Sequence, residues 1–78
     1  MTSVAEIKKT VKRKTHLHVT GLELKKSNPY WANDEQINYM EAEVNDMIEM
    51  NPGKISEKQA SSLKNWINDL RVTYLFAA

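Results

Sequence analysis

The stretch "NPGK", residues 51–54, lies between two runs with helical periodicity, and this constrains the fold more than any other feature. Pro52 disfavours helix at Asn51, and Gly53 supplies a turn. Upstream, Ile37, Met40, Val44, Met47 and Ile48 recur at steps of three and four, the spacing of one helical face. Downstream, Ala60, Leu63, Ile67, Leu70 and Tyr74 repeat as three, four, three, four. So short a connection brings the second helix back along the first. The expectation is an antiparallel hairpin of helices over about 33–50 and 56–75.

Start signals support both helices. Ser56 and Gln59 have capping-box spacing, with Ile55 and Ala60 placed as a hydrophobic staple. In "NPYWANDEQ", residues 28–36, Asn33 and Gln36 have the same spacing, which predicts a helix capped by Asn33. Asp34 and Glu35 would then fall in the first turn, where the helix dipole favours negative charge. Pro29 keeps Asn28 out of helix.

Two helices bury too little apolar surface to offset the entropy of ordering them, so a third element or a partner must cover the hairpin. The N-terminal third supplies candidates in Val4, Ile7, Val11, Leu17, Val19, Leu22 and Leu24. Val4, Ile7 and Val11 mark one face of a short helix. After Lys14 two readings stay open. "HLHV" and "LELK" alternate like a two-stranded ribbon over residues 16–25, whereas a helix continuing to about Val19 and stopped by Gly21 also fits. The chain is read as one small all-α domain over residues 1–78, a basic segment (1–26) packed on the hairpin.

Charge is unevenly divided along the chain. Residues 1–26 hold seven Lys/Arg against two acids, whereas residues 27–78 hold four against eight. Between Asp34 and Glu49 lie six acids and no base. Lys8, Lys9, Lys12, Arg13 and Lys14 crowd one helix-length stretch, and such a face can neutralise phosphates without reading bases. The same charges would also suit the chain's own acidic helix. The acidic helix could in turn meet a basic partner surface.

Other chemistry finds little support. The glycines, Gly21 and Gly53, do not form a phosphate loop, and the serines lack the context of a nucleophile. Glu41 and Glu43 are two apart on a helix and point in different directions. On a strand His16 and His18 would share a face, but a metal site needs further ligands and the chain has no cysteine. Surface histidines are the preferred reading. Neither enzymatic activity nor a metal or cofactor is expected. Cysteine-free composition and the lack of a long apolar run suit a soluble protein of a reducing cytoplasm. Trp31, Trp66, Tyr74 and Phe76 are the candidate partner contacts: an aromatic beside bases can stack, and the apolar tail "VTYLFAA" can dock. Core or hairpin-closing roles compete for the same aromatics.

"NPYW", the Ile/Met/Val-spaced helix and "NPGKISEKQASSLKNWI" together resemble a small family of T-even-type bacteriophages. Its members are encoded beside the UvsW recombination-repair helicase and were once taken as part of it. The resemblance covers Asn28 to about Leu70 and rests on Asn28, Pro29, Trp31, Ile37, Lys54, Ser56, Gln59, Leu63 and Ile67. It implies a small helical accessory of phage DNA replication, recombination and repair in the host cytoplasm. Its partners would be single-stranded or branched DNA and a recombination helicase or recombinase. Helicase activity itself does not carry over, because the chain has no Walker loop and is too short for two motor domains. The oligomeric state is left open.

Overall fold

A computed structural model describes residues 3–18, 23–50 and 53–76. Three α-helices, α1 (Val4–His18), α2 (Tyr30–Met50) and α3 (Glu57–Arg71), are followed by a single widened π turn, Val72–Phe76. There is no strand among the described residues. The hairpin expected from sequence is α2 and α3, and α1 packs across both.

Each helix turns most of the stripe that its periodicity marks toward the other two, with Ala60 of α3 outside the core cluster. Ile7 and Val11 of α1 meet Ile37, Met40 and Val44 of α2 and Leu63 and Ile67 of α3 in one core. Val4, Met47, Ile48, Ile55, Leu70 and Tyr74 pack against it, half-buried. Thr15 continues the α1 stripe one turn beyond Val11 and is buried. Its hydroxyl is accommodated there because it donates to the Val11 carbonyl, 2.7 Å away.

The ends of the helices obey local chemistry. Ser3 starts α1: its Oγ accepts from the Glu6 N–H at 3.2 Å, and its carbonyl accepts from the Ile7 N–H. The Ser56 capping box forms as expected. Ser56 Oγ accepts from the Gln59 N–H at 3.1 Å, and Gln59 Oε1 accepts from the Ser56 N–H at 3.0 Å. Such a cap contributes about 1 kcal/mol. Gly53 turns the chain at φ +84°, a conformation that favours glycine. Asn51 and Pro52 lie outside the described residues.

Two expectations are corrected. α2 begins at Tyr30, three residues before the expected cap, with the Pro29 carbonyl accepting from the Ala32 and Asn33 N–H groups. Asn33 is therefore inside the helix, and Asp34 and Glu35 lie beyond its first turn. Proline suits this position because it sets φ and has no N–H to satisfy. The ribbon over 16–25 is also not adopted. Residues 16–18 belong to α1 and residues 23–25 form no strand, while 19–22, with Val19 and Leu22, lie outside the described residues. Helical backbone at positions 16 and 18 removes the shared strand face on which a His16–His18 metal site depended. No group of three or more His, Cys, Asp or Glu residues is placed to hold a metal ion among those described. No helix among them is long and apolar enough to cross a membrane.

Candidate nucleic-acid interface

The five cations of α1 divide into three positions because a helix fans neighbouring side chains around its axis. Lys8 and Lys12, one turn apart, flank the core stripe on the α3 side. Both ammonium groups lie over the Trp66 ring, 5.6 and 5.9 Å from its centroid. These are cation–π distances, and the pair ties α1 to α3 while shielding a half-buried indole. Lys14 lies on the other flank, with its Nζ 3.5 Å from Glu43 Oε2 of α2. Lys9 and Arg13 are exposed and have no ion pair among the described residues. Spaced by four, and followed three residues later by exposed His16, they form the outermost strip of α1.

The acids of α2 divide in the same way. Arg71 makes a bidentate clasp to Glu41, with Nη1 2.8 Å from Oε2 and Nη2 3.1 Å from Oε1, and Nη2 also donates to Asn38 Oδ1. The hydrogen bonds from Arg71 hold the Glu41 carboxyl below its ordinary value, and Glu41 holds the guanidinium above its own. Glu43 takes Lys14 on one side and the Tyr39 hydroxyl on the other. Partial burial first, and then Glu43, raise the Tyr39 phenol above its usual value. Glu35, Asp46 and Glu49 face outward, away from α1, with no ion pair among the described residues. Among the described residues the basic segment thus meets the acidic helix at one ion pair and leaves its outer strip open.

The candidate partner aromatics do not form one surface. Trp66 is covered by the two lysines, and Tyr74 is half-buried against the core. Trp31 and Phe76 are open to solvent, 64% and 68% exposed, beside Tyr30 and Val72, which are also exposed. Trp31 is therefore not a core residue. The two exposed pairs sit at the same end of the hairpin, where α2 starts and the π turn ends.

Asn33 and Gln36, read from sequence as a capping pair, are both buried. Asn33 Nδ2 donates to the Lys25 carbonyl at 2.9 Å and lies 3.4 Å from the Tyr74 carbonyl, while its Oδ1 accepts from Asn28 Nδ2. Asn28 also donates to the Glu23 carbonyl. This network ties the approach to α2 and the π turn to the helix. Gln36, one turn on, lines a cavity of about 520 Å³ between α1, α2 and α3. Its Nε2 is buried with no hydrogen-bond partner among the described residues. Sequence reasoning missed this cavity, because its one signal is polar residues at core-facing positions of α2, and these also fit a cap. No protein-family model, curated protein or solved structure matches the chain.

Proposed function

We propose that this chain is a non-enzymatic accessory of phage DNA recombination, repair and replication. It contacts single-stranded or branched DNA through the outer face of α1 while associated with a recombination helicase or recombinase in the host cytoplasm. The DNA contact rests on one observation: Lys9 and Arg13 project from a helix anchored to the body, with no ion pair among the described residues. Lys12, shared with Trp66, and Lys14, loosely held at 3.5 Å by Glu43, border the same strip. A row of cations on a preordered helix follows a phosphate backbone without selecting sequence. The phage setting and the enzyme partner rest on the resemblance carried by residues 28–70.

Exposure of Trp31 supports a second reading, a protein-interaction module built on α2. Its outer acids Glu35, Asp46 and Glu49 and its exposed aromatic start would meet a basic partner surface with an apolar cleft. The double substitution Lys9→Glu, Arg13→Glu separates the two. Neither residue packs in the core, so the fold should persist while binding to single-stranded DNA at low salt falls below detection. Undiminished DNA binding by that variant would remove the α1 reading. Nuclease-resistant co-purification of a partner that depends on Trp31 would favour the second.

A further inference from the structure

We propose that the cavity beneath Lys12, Arg13 and His16 is a nucleotide site, which takes one unstacked base with its phosphate on the basic rim. The inference deepens the DNA-contact reading and rests on it. Three features select this ligand. The rim places Lys12, Arg13 and His16 of α1 at the mouth, continuous with the open strip at Lys9 and facing Glu23. The walls are mainly apolar, with Met40, Leu70 and Tyr74 offering a thioether, a branched aliphatic and an aromatic ring. Gln36 adds an amide donor that is 98% buried and unpartnered among the described residues.

A buried donor without an acceptor is costly, and in native proteins such a group is met by a water, an ion or a ligand, or serves a function. An acyl chain would fill the apolar walls and leave that donor unsatisfied. The edge of a nucleobase brings ring-nitrogen and carbonyl acceptors on a flat apolar body, and an amide side chain commonly reads such an edge. A phosphate on the base's own sugar then meets the cations at the mouth. The volume, about 520 Å³, lies within the range of small-molecule sites. Glu23 at the rim repels a second phosphate, which favours a monophosphate over a polyphosphate.

The test is an NMR titration of the full chain with AMP, GMP, CMP and UMP, with inorganic phosphate, ADP and octanoate as comparisons. At least one monophosphate should shift the Gln36 side-chain amide saturably, more tightly than phosphate, ADP or octanoate. Gln36→Leu should weaken that nucleotide by up to about tenfold, the worth of one hydrogen bond, and Arg13→Gln should weaken it as well. Octanoate binding tighter than every nucleotide, phosphate binding equal to them, or no saturable shift in the wild type would overturn the proposal. Oligonucleotide binding that depends on Lys9 and Arg13, with mononucleotides leaving Gln36 unmoved, would sink the cavity and keep the basic face. Mononucleotide binding by a chain that ignores oligonucleotides would do the reverse.

Discussion

The first half of α2 buries Ala32, Asn33, Gln36, Ile37 and Met40, whereas its second half buries Val44 alone and leaves Met47 and Ile48 half-covered. The difference follows from what each half faces. Around the first half lie the irregular approach segment and the π turn, whose carbonyls at Lys25 and Tyr74 have no regular ladder to satisfy them. The Lys25 carbonyl takes the Asn28 N–H within its own turn, and a polar side chain buried there supplies a further donor that reaches both carbonyls. The second half lies along helices that satisfy their own backbones, and a plain apolar stripe suffices. Irregular neighbours recruit buried polarity, and that polarity is where new chemistry can arise.

The widest expected gap between the halves is in core truncation. Ile37→Ala should cost about 2–5 kcal/mol, since its side chain is fully buried. Ile48→Ala should cost about 1 kcal/mol, because half its surface cost is already met by solvent exposure in the folded state. Urea denaturation measures both, and equal losses would break the comparison.

The two buried amides sharpen it further, because they sit one turn apart and should respond in opposite ways. Asn33→Leu removes one of two hydrogen bonds at the Lys25 carbonyl and one of two at Asn28 Nδ2, at a cost of about 1–2 kcal/mol. Gln36→Leu removes a donor that has no partner among the described residues, and stability should hold or rise. A large loss at Gln36 would show that its amide is already satisfied in the free protein, and the cavity proposal would weaken with it.

Much of this architecture is legible in sequence. The stripes of α2 and α3 name the buried Ile37, Met40, Val44, Leu63 and Ile67 and the flanking Met47, Ile48, Leu70 and Tyr74, while Ala60 stays outside that cluster; the Ser56–Gln59 box forms as its spacing says. The same logic misplaces the start of α2. A polar residue three before a glutamine describes a cap and a buried network equally well, because both use an amide or hydroxyl to satisfy backbone groups. Only the backbone partners tell them apart, and for Asn33 these lie eight and 41 residues away along the chain. The α1 cations were identifiable as a cluster. Their division into Trp66 cover, Glu43 partner and open strip was not, since that depends on which helix lies on which flank.

A smaller effect concerns the clasp between Glu41 and Arg71, which fastens α2 to the last turn of α3. Arg71 lowers the Glu41 pKa, so the pair's contribution is present above the ordinary carboxylate value of about 4 and is lost as pH falls through the lowered one. With the Glu41 side chain 46% exposed, solvent screening keeps that contribution below about 1 kcal/mol. The stability difference between wild type and Glu41→Gln should be small at neutral pH and vanish in acid. A difference that grows on acidification would contradict the assigned direction.

The central claim is that the outer strip of α1 meets phosphates, and the salt dependence of binding tests it most directly. About three phosphate contacts, from Lys9, Lys12 and Arg13, predict that log K for single-stranded DNA falls with log salt at a slope of about −2. Lys9→Gln should reduce that slope by about 0.7, the share of one contact on a single strand. A slope near zero, or one unchanged by Lys9→Gln and by Arg13→Gln, would contradict the account.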